Sequence, residues 1–243
     1  MTRSSMALVM LGLVLAMGIG HARTAVENGS YEHKAAGLAW QCVPQPNLPN
    51  VLLLGDSISI GYTLQVRELL QGKANVYRPL RKNGIPDNCF TVANGITNLT
   101  SWVGTQQWSV IHFNFGLHDI KYVDSAGKLD RVHGKQVTPV NVYQKNLETL
   151  MPMLQKTGAK LIFATTTTVP DNELGRVEGD DTKFNAAAII VMKKHGVAID
   201  DLQALTATFP PELFKLPANC HYSDAGYARL AKQVADSILK MLP

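Results

Sequence analysis

Apolar positions along this chain fall into two kinds of segment that alternate. Short, mostly apolar runs occur at Val51 to Leu54, which is apolar throughout, and at Ala74 to Arg78, Val110 to Phe115, Lys160 to Thr166 and Val197 to Ile199. Runs of that length and density predict strands buried on both faces, as in a parallel sheet. Between them the apolar residues move to helical spacing. Leu64, Val66, Leu69 and Leu70 mark one helix ending near Gly72, and Ile96, Leu99, Trp102 and Val103 mark a second. Thr138-Pro139 opens a third, which runs towards Gly158 through Pro152, where a kink is expected. Asp180 or Asp181 caps a fourth that reaches His195, and Ser223 caps a last one through Leu242. Five strand–helix alternations without an internal repeat predict an α/β fold, a five-stranded parallel sheet with helices on both faces.

The breaks between these segments hold the polar residues that could do chemistry. The first strand stops at Gly55-Asp56-Ser57 and turns at once into a helix. Such a turn stands at the carboxyl edge of the sheet beside a helix N-terminus, where open α/β sheets bind ligands. Ser57 is therefore placed as a nucleophile, or alternatively as the cap of the helix that follows. The second strand leads through a turn-rich loop (83–88) to Cys89, and the third ends in Gly116-Leu117-His118-Asp119. A proline-rich loop then delivers Asn219-Cys220-His221 before the last helix. Ser57 and His221 form a nucleophile and general base if the fold brings them together. His112, inside a strand, reads as a core histidine, and His133 and His195 as surface ones. Asp200 or Asp201, after the last strand, is a possible partner for His221 as well as a cap, and Asp224 is a further candidate. The polar stretch 121–136 reads as a surface excursion.

Composition narrows the setting. The chain has 243 residues, 46% of them hydrophobic, 17% charged, with a net charge of +4. That suits one globular domain, placed at 51–243, with an irregular proline-containing lead-in at 23–50. Residues 1–22 read as a signal peptide: Arg3 precedes an apolar run from Met6 to Ile19, and cleavage is expected after Ala22. A secreted or periplasmic protein follows, with no stable membrane association after cleavage. No long basic run argues for a nucleic-acid partner, and the cluster Arg78, Arg81 and Lys82 reads as a solvated loop. The three cysteines fit no metal-ligand spacing, and one bridge plus one free thiol is the simplest arrangement. Cys89 and Cys220 both belong to the carboxyl edge of the sheet, which predicts a Cys89–Cys220 disulfide with Cys42 unpaired. Asn28-Gly29-Ser30 and Asn98-Leu99-Thr100 match the glycosylation sequon.

At these residues the chain resembles the SGNH/GDSL hydrolases, over most of its length after residue 22. Gly55-Asp56-Ser57-Ile58-Ser59 is similar to the family's first block, whose serine is the nucleophile. Gly116-Leu117-His118-Asp119 is similar to the third block, with His118 in place of asparagine. His221, with Tyr222 and Gly226 behind it, is similar to the fifth-block histidine. The resemblance implies a three-layer αβα fold with flavodoxin-like strand order. It also implies a serine esterase acting on a small acyl ester, an acetylated polysaccharide favoured, without metal or cofactor. Its oxyanion hole would comprise the backbone N–H groups of Ser57 and Cys89, the latter at the second-block glycine position, and the side chain of His118. Asp56, Gly116, Asp119 and Asn219 would support the site. The family's fifth-block aspartate is replaced by Ala218, which leaves Asn219 to orient His221. That departure keeps open a catalytically impaired carbohydrate-binding or scaffold module, and a lipid or thioester hydrolase is a further alternative.

Overall fold

The computed structural model describes residues 38–243. The expected signal peptide, the first part of the lead-in and Asn28 lie outside the described residues. Five strands form the central sheet: β1 (Asn50–Leu54), β2 (Asn75–Tyr77), β3 (Val110–Phe113), β6 (Lys160–Ala164) and β7 (Ala198–Asp200). All pairs are parallel, in the order β2-β1-β3-β6-β7. Counted within this sheet alone, the order is 2-1-3-4-5, the flavodoxin-like arrangement the resemblance implies. Two further short strands, β4 (Tyr122–Val123) and β5 (Lys135–Gln136), pair antiparallel inside the 121–136 stretch.

The helices are α1 (Ser57–Leu69), α2 (Val92–Val103), α3 (Val140–Gln155), α4 (Asp180–Lys194), α5 (Leu202–Thr206) and α6 (Asp224–Leu239). They complete the α/β sandwich, because a strand side chain alternates between two faces. Val51 and Leu53 pack with Tyr62, Val66, Tyr227 and Leu230 from α1 and α6. Leu52 and Leu54 pack with Leu99, Leu147, Leu150 and Phe184 from α2, α3 and α4. The side chains of Val51 to Leu54 are at most 1% exposed, which is why these four positions of the strand are all apolar.

Local details depart from the sequence reading at several points. Gly179, in a left-handed conformation (φ 79°), caps α4, and Asp180 and Asp181 sit in its first turn, where carboxylates favour the positive helix end. Pro139 itself occupies the cap position of α3, and the helix continues past Pro152 to Gln155. Arg78 is no solvated loop residue. It is 5% exposed, and its guanidinium donates to the hydroxyls of Ser59 and Thr63 and to the carbonyls of Gly55 and Asp87. Three of those acceptors lie in the turn after β1 and in α1, and the fourth in the loop after β2, so a buried arginine ties that loop to the segment that carries Ser57.

No disulfide forms: Cys42, Cys89 and Cys220 are all free. The expected Cys89–Cys220 bridge fails because the two side chains pack into the layers on opposite faces of the sheet. Cys89 Sγ instead accepts from Gly55 N–H at 3.2 Å, and Cys220 Sγ accepts from Arg176 at 3.4 Å.

Candidate active site

The chain crosses from β2 on one side of β1 to β3 on the other, which opens a crevice at the carboxyl ends of β1 and β3. That switch point is where doubly wound sheets bind ligands. Ser57 leaves β1 there as the first residue of α1. Asp56 is the cap: its Oδ1 accepts from Ile58 N–H at 2.9 Å. Ser57 is thus spared that task, its hydroxyl is partly exposed, and its N–H has no acceptor among the described residues. Asp56 is fully buried, and burial raises its pKa.

His221 reaches Ser57 across 164 residues of sequence. Ser57 Oγ lies 2.9 Å from His221 Nε2. The tautomer follows from the other ring nitrogen, because Asn219 Oδ1 stands 2.9 Å from Nδ1 and also accepts the His221 backbone N–H at 2.8 Å. An amide oxygen only accepts, so Nδ1 carries the proton and Nε2 is left as acceptor for the serine hydroxyl. The group on Nδ1 is thus an amide and not a carboxylate. Asp200 instead bonds the buried His112 at 3.0 Å and Gln233 at 2.8 Å, while Asp201 caps α5 and accepts from Thr165. Burial, assisted by the positive charges of Arg176, Lys215 and Lys121, pushes the His221 pKa down to about 4. The ordinary value near 6.5 expected of an unperturbed histidine does not apply here.

The β3 turn brings in His118, which lines the same cavity as Ser57 and His221. Its Nδ1 is 3.0 Å from Lys121 Nζ, and Phe90 packs against the ring edge to face at 5.0 Å. An ammonium has no lone pair to offer, so it donates to Nδ1 and the ring proton resides on Nε2. Burial first, then Lys121, Arg176 and His221, hold His118 neutral, its pKa well below the usual histidine range. His118 is therefore a neutral N–H donor. Gly116 allows this turn its close packing, since a Cβ there would overlap Thr166 Oγ1. Asp119 stands away from the cavity, fully buried, accepting from Val92 N–H at 3.2 Å at the start of α2, and burial pushes its pKa up to about 7.

Cys89 departs from its expected place. Its backbone N–H donates to Gly55 O at 3.1 Å and the residue is fully buried, so that N–H is not open to the cavity. The chain turns outward only at Phe90, which adopts a left-handed φ of 53° with its N–H on Asn88 Oδ1. The cavity, about 340 Å³, is also lined by Lys121 and Arg176, two residues that sequence reasoning passed over. Lys121 lay in a stretch read as surface, and Arg176 in a loop after β6 with no periodic signal. Arg176 is buried, donating to Leu117 O at 2.8 Å and to Glu173 at 2.9 Å. Among the described residues no group of three or more His, Cys, Asp and Glu side chains could hold a metal ion. No described helix is long and apolar enough to cross a membrane.

The sequence matches no protein-family model and no curated protein. Solved structures are similar in fold. An acetyl xylan esterase, AlAXEase, superimposes with a TM-score of 0.62 at 15% identity, over 78% of this chain and 99% of that one. The lipase/acylhydrolase from Enterococcus faecalis gives 0.63 at 19% identity, over 81% and 98%. Axe2, an acetylxylan esterase from Geobacillus stearothermophilus, gives 0.60 at 17% identity, over 78% and 94%.

Proposed function

We propose that this chain, which has the fold of the SGNH hydrolases, is an exported serine esterase that removes small acyl groups, acetyl foremost, from a carbohydrate. One observation carries the reading: the contact of 2.9 Å between Ser57 Oγ and the acceptor nitrogen of a neutral His221. His221 Nε2 takes the Ser57 proton as Oγ attacks the ester carbonyl carbon. The oxyanion is stabilised by Ser57 N–H, at the positive end of α1, and by the Nε2–H of His118. Collapse of the tetrahedral intermediate expels the alcohol, which takes the proton back from His221. Water then attacks the acyl-enzyme by the same route in reverse, releasing the carboxylic acid. Asn219 keeps His221 in the working tautomer without adding charge. Acetyl esters of xylan are the substrates named for two of the structural neighbours, and that substrate class is carried over here as support.

The test combines turnover and labelling. Wild-type protein should hydrolyse 4-nitrophenyl acetate and react with a fluorophosphonate at Ser57. Ser57→Ala should abolish both, with stability altered by less than about 1 kcal/mol because Asp56 is the cap. Activity that survives in a folded Ser57→Ala protein would refute the mechanism. Absence of turnover in the wild type would leave the scaffold-module reading.

A further inference from the structure

The cavity beside Ser57 is positively charged. Its walls carry Arg81, Lys121 and Arg176 against one carboxylate, Glu173. Arg176 and Glu173 are both buried and pair with each other at 2.9 Å, so Glu173 offsets part of the Arg176 charge. Arg81 lies at the exposed rim, 3.4 Å from Asp87. Lys121 is the residue with no carboxylate in contact; Asp56 and Glu173 act on it only from a distance. It is partly buried, makes no ion pair among the described residues, and spends one N–H on the neutral ring of His118. Two ammonium N–H groups remain. A partly desolvated ammonium with no carboxylate in contact is costly, and a ligand that brings an anion into the cavity relieves that cost.

A second feature points the same way. The general base faces an amide, Asn219, where a carboxylate would offset the imidazolium formed during reaction. Arg176, Lys215 and Lys121 all act on His221 in the unfavourable direction. A negative charge on the substrate would oppose their field at the step where His221 takes the proton. Resting on the esterase reading, we infer that the substrate is an ester of a carboxylate-bearing sugar, with the carboxylate seated on Lys121 and with Arg81 at the rim. A cavity of about 340 Å³ suits a ligand of sugar size. An ester of a neutral sugar fills that space and leaves Lys121 unpaired.

The experiment uses acetylated oligogalacturonate and the same oligomer with its carboxyl groups methyl-esterified, and measures acetate release from each. Binding of the deacetylated acid oligomer is measured in parallel by calorimetry, for wild type, Lys121→Gln and Arg81→Gln. Glutamine at 121 keeps an N–H for His118 while removing the charge. The acid oligomer should show kcat/KM about tenfold or more above the neutral one at low salt, the scale of one charge-assisted contact. That ratio should fall towards one in Lys121→Gln, fall in part in Arg81→Gln, and decline with salt. Equal kcat/KM for the two oligomers in the wild type overturns the inference and leaves the esterase reading standing, with Lys121 serving His118 alone. Binding of the acid oligomer, weakened in Lys121→Gln but without acetate release, supports the subsite and overturns the esterase reading. Neither binding nor release overturns both. Should Lys121→Gln fail to fold, the wild-type ratio and its salt dependence still decide.

Discussion

Replacing Asn219 with aspartate is the sharpest perturbation of the proposed mechanism. Asn219 Oδ1 lies 2.9 Å from His221 Nδ1 and 2.8 Å from its backbone N–H. Aspartate has the same shape, so Asn219→Asp keeps both bonds and adds one negative charge against the ring. A carboxylate charge about 4 Å from the imidazolium charge is worth about 4 kcal/mol at an effective dielectric of about 20. That corresponds to about 3 pKa units, and neighbouring opposite charges shift pKa values by about 1–3 units. His221 starts at about 4, so the variant should titrate between about 5 and 7. His221 works as a base and is inactive when protonated, so the acid limb of kcat/KM moves upward by the same amount. If a third of the added interaction is expressed in the transition state, kcat above pH 8 rises about tenfold. For a shift of more than about two units the two pH profiles therefore cross, the wild type being faster near pH 5 and the variant faster above pH 8. Stopped assays with 4-nitrophenyl acetate from pH 3.5 to 9 give both profiles. An acid limb that stays in place in a folded Asn219→Asp protein refutes the role assigned to Asn219.

Two other outcomes test the supports of the site. In Gly116→Ala the new Cβ meets Thr166, so the turn carrying His118 must shift; a loss of about 1–3 kcal/mol in denaturant unfolding and a lower kcat are expected, and wild-type stability would show that the turn has room. Asp119 has a pKa raised to about 7 by burial, above its unfolded value near 3.9. The folded state therefore binds its proton more tightly, and this contribution is complete below about pH 4 and lost as pH rises through about 7. Asp119→Asn removes that titration, so its stability relative to wild type should improve between pH 4 and 7.5, by up to about 4 kcal/mol; parallel melting curves across that range would contradict the assignment.

Much of this protein is decided by local pattern. Val51 to Leu54, apolar at four successive positions, can satisfy both faces only inside a covered parallel sheet, and the helical spacing of Leu64 to Leu70 needs one apolar stripe. The alternation of such segments was enough to predict the α/β class, and three short blocks placed Ser57, His118 and His221 at the edge of the sheet. What depends on distance in space was not legible in one dimension. Cys89 and Cys220 both follow from the carboxyl edge, yet they point into opposite layers, because a strand or loop residue chooses its face by a single-residue step. The Cys89 N–H is consumed by Gly55 O, a pairing of two turns from different strands. Arg78 reads as polar surface until the carbonyls of Gly55 and Asp87 gather around it. Asp200, beside Asp201 in sequence and near the last strand, goes to His112 because parallel pairing sets β6 between β3 and β7 and turns both side chains to one face. The charge of the cavity is likewise tertiary: Lys121 comes from the turn after β3, Arg176 from the loop after β6 and Arg81 from the loop after β2. Short-range periodicity settles which segments become strands and helices; only the closing of the sheet brings separate loops near enough for their charges and hydrogen bonds to act on one another.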